Sequence, residues 1–291
     1  MASEGDRRAD LEVDEPRRSR ILGALAGADG RRGVAIALVS TIVFLVVVGV
    51  IVANSPGWPE VHAQFFSWHY FKSTLPEIAR AFLINCKMFL IAECLILPFA
   101  LLIAVLRSLP GPVFFPLRAL AIVYADFFRG VPTILVIFLL GLGVPGLQLS
   151  GVPTGFVFWG IVALVLIYSA YVSEVYRAGI ESVHPSQEAA ARSLGLTRWQ
   201  TLRKVIIPQA VRRVIPPLLN DFIGLQKDTA IITVIGVTDA LAQAGFYSND
   251  FFLYTGYTVA AVFFVILTIP FARFTDHLIK QRERRERAQL V

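Results

Sequence analysis

Charge and cysteine are what this chain has least of. Only 16% of its 291 residues are charged, while 56% are hydrophobic. Soluble domains carry about 25% charged and about 45–50% apolar residues. The apolar residues also run in long blocks between short charged stretches, which points to a membrane protein. The two cysteines, Cys86 and Cys94, lie eight residues apart in one apolar segment. On a helix that is about 12 Å of rise, against about 4.4–6.8 Å between the Cα atoms of a disulfide. They read as ordinary buried thiols. Histidine is scarce too: His62, His69, His184 and His277 show no metal-ligand spacing, and there is no CxxC or HExxH. No metal or other cofactor is expected.

Other absences narrow the function. The phosphate-cradling run G-x-x-x-x-G-K-[ST] is missing, so the chain is not expected to bind ATP by that device or to act as an enzyme. A membrane-embedded enzyme would want histidines or carboxylates clustered at one depth, and none is found. No internal repeat is visible, although many secondary transporters are built from two related halves. A cleaved secretory signal is a poor fit: residues 1–33 are long and acidic, and the apolar run 34–53 is long enough to span, where a signal core is about 7–15 residues. The net charge of +6 could suggest nucleic acid. Basic clusters beside apolar spans are instead the mark of cytoplasmic loops, so the expected partner is the lipid bilayer and not nucleic acid.

What is present predicts an all-α, polytopic membrane protein of about six transmembrane helices. Residues 1–33, with seven arginines and seven acids, read as a solvated cytoplasmic tail. An uncharged N-terminal span covers 34–53. A short extracytoplasmic segment, 54–80, carries Trp58, Trp68 and Tyr70, residue types that favour the membrane boundary. The main transmembrane domain covers 81–275, with spans near 81–106, 120–144, 154–172, 214–237 and 254–271, and a polar cytoplasmic loop at 173–213. A basic cytoplasmic tail, 276–291, follows. Within the third span, Asp126, Arg129, Gly130 and Pro132 interrupt the pattern and divide a lead-in helix from the membrane helix proper.

Loop charges give the orientation. Segments 1–33, 107–118, 173–213 and 273–291 hold 7, 2, 7 and 6 basic residues, whereas 54–78, 145–153 and 245–253 hold only Lys72. Six spans sort the two groups to opposite sides. The positive-inside rule then places both termini in the cytoplasm of a multi-pass cell-membrane protein.

The strongest local pattern lies in the long cytoplasmic loop: Glu188, Ala189, Ala190, Ala191, Arg192, Ser193, Leu194, Gly195, then Val205, Ile206, Ile207 and Pro208. The first part favours helix, and Gly195 can take the left-handed conformation that ends one. Residues 196–207 predict a second helix with Trp199, Leu202 and Ile206 on one face, stopped or bent at Pro208. Such a hairpin suits docking to a soluble partner, or lying on lipid headgroups.

This run resembles the "EAA" loop of ATP-binding-cassette (ABC) importer permeases, E-A-A-x3-G-x9-I-x-L-P. Relative to Gly195, the residues Val205, Ile207 and Pro208 fall at the matching offsets, and Glu188 lies one residue early, with Ala189 at the family's glutamate position. Arg129-Gly130-Val131-Pro132 is similar to the R-G-[TV]-P of the polar amino-acid permease branch (His/Glu/Gln-type). Tyr171, Glu174, Arg177, Gly179 and Ile180 are similar to its Y-x-x-E-x-x-R-x-G-I, and Pro208-Gln209-Ala210 and Lys227-Asp228-Thr229-Ala230 continue the pattern in order. The match covers about residues 80–275. The resemblance implies a type I permease fold, a five-helix core plus one N-terminal helix. It implies two such subunits, the same or sister chains, forming a pathway for a polar amino acid. An ABC ATPase subunit pair would grip the hairpins at Glu188, Ala189, Ala190, Gly195, Leu196, Trp199 and Pro208. An extracytoplasmic solute-binding protein would deliver the solute.

Charges inside spans are costly and usually turned inward. Lys87 and Glu93 in the second span and Lys227 and Asp228 in the fifth are therefore candidates for a polar path or gate, and the resemblance adds Arg129, itself read as interfacial, and Glu174; pairing or snorkelling to an interface is the alternative. An ion- or proton-coupled carrier working without an ATPase, through Lys87, Glu93 and Asp228, is the other function these charges allow.

Overall fold

The computed structural model describes residues 28–288, with side chains from 32 to 281. Most of the expected N-terminal tail and the last three residues of the basic tail lie outside the described residues. Every regular element among the described residues is helical.

The chain divides into two units, residues 1–63 and 64–291. The first contains helix α1, Ala28–Ala53. Its Arg32–Ala53 stretch has a mean hydropathy of 3.1, and Val, Ile, Leu and Phe side chains are exposed all round it. That surface suits a helix whose neighbour is lipid. Helix α2, Trp58–Phe65, ends just inside the second unit.

The second unit is built round α3, Trp68–Ser108. At about 1.5 Å per residue, its 41 residues reach about 60 Å, twice the roughly 30 Å hydrocarbon core. It starts 13 residues before the predicted span and runs through Pro76 and Pro98. Packing overrides these local breakers: Ile78 and Phe82 are buried against Ala240, Ala244, Val259 and Ala260, and Glu77 accepts a hydrogen bond from Gln243 at 3.1 Å. Propensity yields to tertiary contact here.

Helix α4, Phe115–Gly130, turns through 105° into α5, Thr133–Phe138, which continues through a π-helical turn, Leu139–Gly143, to Gly146. Val131 is extended, as the residue before a proline prefers. The predicted division at Gly130–Pro132 is thus a sharp bend. Helix α6, Phe156–Glu181, is longer than its predicted span and packs on α3 along much of its length. Tyr124 of α4 donates to the Leu166 carbonyl at 2.7 Å.

The polar loop holds α7, Pro185–Ser193, and α8, Arg198–Thr201. A π-helical turn, Leu202–Ile206, leads into α9, Ile207–Asp228. Of the two outcomes expected at Pro208, a stop or a bend, the stop does not occur. Pro208 lies just after the π-helical turn, and that widened turn accommodates both its ring and its missing N–H. A 3₁₀ stretch, Thr229–Ile235, ends at Gly236 with φ +94°. Helices α10, Ala240–Phe251, and α11, Thr255–Ala288, complete the fold.

By length and composition, four helices among the described residues are able to cross a membrane, or up to six if each bent pair counts as one span. The larger apolar core joins α3, α5, α6, α9 and the 3₁₀ stretch round Met88, Ile96, Ile137, Leu164, Ile167, Leu225 and Ile232.

Candidate functional site

The hairpin of α7 and α8 is made by two matched capping motifs. Helix α7 opens with His184, whose ring accepts from the Ser186 N–H at 3.2 Å, followed by Pro185 at the first position. It closes on Gly195 at φ +83°. Gly195 N–H reaches the Arg192 carbonyl at 3.0 Å and Leu196 N–H the Ala191 carbonyl at 3.2 Å, the Schellman pattern. Two residues on, Thr197 and Gln200 exchange side-chain bonds with each other's backbone N–H, at 3.3 and 2.9 Å, a capping box that starts α8. The predicted helix–glycine–helix is present, and its second helix begins at Arg198.

The tip is apolar and exposed: Leu194 is 82% and Trp199 65% accessible. Ala189, Ala190 and Pro208 are exposed, while Glu188 and Leu196 are half-buried. Arg192, Arg198, Arg203 and Lys204 are exposed around the tip. The legs are fastened behind it. A Cβ on Gly179 of α6 would lie 2.0 Å from Val214 Cγ1 of α9, and Arg213 donates to the Ser182 carbonyl.

Arg129 and Glu174, separate in sequence, come together. Glu174 Oε2 meets Arg107 Nη1 at 2.6 Å and Arg129 Nη1 at 3.7 Å, and Oε1 meets the Arg177 guanidinium. Arg177 also pairs with Glu181. One carboxylate thus links α3, α4 and α6. Arg107 went unnoticed in the sequence because it counted only as a loop charge.

The other candidates do not converge on one point. Lys87 and Lys227 are exposed, and Glu93 is half-buried. Asp228, at the end of α9, accepts from the Tyr168 hydroxyl of α6 at 2.8 Å. Deeper polar groups escaped sequence reasoning. Asp239 is fully buried; Asn85 of α3 donates to it at 2.8 Å, Thr233 donates as well, and the N–H groups of Leu241 and Ala242 do so at 3.1 and 3.0 Å. Asn85 in turn accepts from the Ala240 N–H at 3.1 Å. This network satisfies the backbone where the chain breaks between α9 and α10, a requirement inside a bilayer. The available signal was an aspartate directly before a helical run.

Among the described residues, an all-helical bundle with two sharply bent helix pairs and a capped, exposed hairpin after α6 has the make-up of a membrane-embedded component. Residues 96–284 match the family described as binding-protein-dependent transport system inner membrane component, and the chain belongs to that family. It is therefore an integral inner-membrane protein. It is 38% identical over 175 residues to the "Probable glutamine ABC transporter permease protein GlnM" of Bacillus subtilis strain 168, covering 59% of this chain and 79% of the relative. It is 33% identical over 210 residues to the "Probable amino-acid permease protein YxeN" of the same organism, covering 72% and 92%. Its fold matches the crystal structure of an amino acid ABC transporter with histidines at a TM-score of 0.67 and 30% identity, over 74% of this chain and 98% of that one. These likenesses lie with binding-protein-dependent and ABC transport systems.

Proposed function

We propose that this chain is the membrane-spanning permease subunit of an ABC importer that translocates a polar amino acid. Separate ATPase subunits drive it through the hairpin from α7 to α8, a second permease subunit completes the pathway, and an extracytoplasmic binding protein delivers the solute. Both termini are cytoplasmic. The observation that carries this reading is the doubly capped hairpin with Leu194 and Trp199 exposed at its tip. Rigid, exposed aromatics dominate many protein contacts, and the family is one of transport systems built from several components. The relatives' names supply the amino-acid class. In this reading Asp228, which accepts a hydrogen bond from Tyr168, and the half-buried Glu93 line the polar path, with Lys227 and Lys87 nearby in sequence.

Reconstitution tests it. The chain in proteoliposomes with its ATPase and binding protein should take up a polar amino acid on ATP addition, and the chain alone should not hydrolyse ATP. Trp199→Ala should weaken ATPase association. Turnover by the purified chain alone, or uptake that ignores ATP and follows a proton gradient, would overturn the reading.

A further inference from the structure

The hairpin must pass its displacement to the rest of the bundle, and its legs differ in how they are attached. Between α6 and α9 the contact is close and apolar: Gly179 lies against Val214 with no room for a methyl group, and Arg213 ties α9 to the Ser182 carbonyl. Close-packed contacts of this kind transmit displacement, so movement of the hairpin reaches lower α6 and early α9 together.

Lower α6 meets α3 and α4 differently. Glu174, seven residues before α6 ends at Glu181, lies about 10 Å up the helix from the end that leads into the hairpin. The groups around it are partly accessible, with side-chain exposures of 11% for Arg107, 22% for Glu174, 34% for Arg177 and 38% for Arg129. Two of these arginines face the same oxygen, Oε2. Arg107 of α3 holds it at 2.6 Å, whereas Arg129, at the α4 bend, stands 3.7 Å away. Arg177 of α6 itself holds Oε1. One carboxylate is thus steadied by its own helix and shared unequally by two others. A relative shift of about 1 Å between α6 and α4 is enough to bring the second guanidinium into normal charge-assisted bonding range. A body sliding past packed side chains meets a barrier, but one exchanging guanidinium partners keeps its charge paired throughout.

The geometry points to Glu174 as the positioning residue of coupling: as the hairpin moves, its carboxylate exchanges Arg107 for Arg129 and so transfers the motion from α6 to the bent span α4–α5. Arg107 and Arg129 are its two alternate anchors. The inference rests on the ATP-driven reading above and adds where its motion is passed on.

The experiment is reconstituted uptake and ATP hydrolysis, read together as solute moved per ATP, alongside membrane-inserted protein. Glu174→Gln should lower solute per ATP by about tenfold, the upper part of the range seen for residues that modulate coupling between sites. Glu174→Asp, which keeps the charge, should retain most of it. Arg129→Gln should also lower the ratio, although its 3.7 Å contact holds the least of the fold. It decides the matter should Glu174→Gln fail to insert. A normal ratio in Arg129→Gln and Glu174→Gln, with or without lower abundance, assigns the cluster to stability and overturns the inference. If the wild-type complex itself shows no ATP-dependent uptake, it is the transport reading that falls.

Discussion

Gly195 shows how much can depend on one backbone angle. Its φ of +83° lies where side-chain-bearing residues are strained, yet a Cβ there would meet nothing within 4 Å. Any cost of substitution is therefore conformational. Gly195→Val should cost about 1–3 kcal/mol and misdirect α8, abolishing ATP-coupled uptake while membrane insertion stays normal. Gly195→Asn, which tolerates this region better, should keep a substantial part of the activity. Uptake per inserted transporter measures both; equal activity in the valine and asparagine variants would show that the turn does not set the hairpin. This residue was legible in the sequence because a glycine after a helix-favouring run has few other reasons to be there. Asp239 was not. Its place before a helical run marked it as a cap, but its partner Asn85 comes from 154 residues away in the chain, and nothing local shows that the carboxylate is buried against another helix.

At the level of elements, sequence patterns located the helices better than their ends. The start of α3 at Trp68 depends on contacts with α10 and α11, which no window along one segment contains. The π-helical turn before Pro208 likewise resolves a conflict that the proline alone suggested would end a helix. Meeting surfaces were hidden for the same reason: Arg129 and Glu174 were each visible, but not that Arg107 joins them. The α6–α9 crossing gives a direct test of packing. In Gly179→Ala the added methyl must displace Val214, at a cost of about 1–3 kcal/mol for overpacking. Val214→Ala in the same chain opens the space again. Thermal unfolding in detergent should show the single glycine variant destabilised and the double variant recovered relative to the sum of the two single changes, the sign of direct coupling. Additive losses would mean that the two helices already yield at this point.

For the whole molecule, the side on which the hairpin lies depends on whether the two bent pairs cross the membrane or turn back. Both meet the length and composition of a span only when their halves are joined, across bends of 105° and 52°. Charge decides between the alternatives. If both pairs cross, the seven basic residues of 173–213 lie on the same side as those of 1–33 and 273–291. If both turn back, the termini remain where they are, but 173–213 moves to the opposite side with all seven. If only one turns back, the six basic residues of 273–291 face outward instead. Either outcome breaks the positive-inside rule, and turning back both pairs or the first alone also removes the hairpin from any cytoplasmic ATPase. Reporter fusions at residues 60 and 285 cannot separate the first two cases, since the number of crossings between them is odd in each. Fusions at 112, 150 and 195 can. We expect 112 and 195 to report the cytoplasm and 150 the outside. A cytoplasmic signal at 150 would make α4–α5 re-entrant, place Gly195 and Trp199 outside, and leave the hairpin without the partner its exposed tip is proposed to meet.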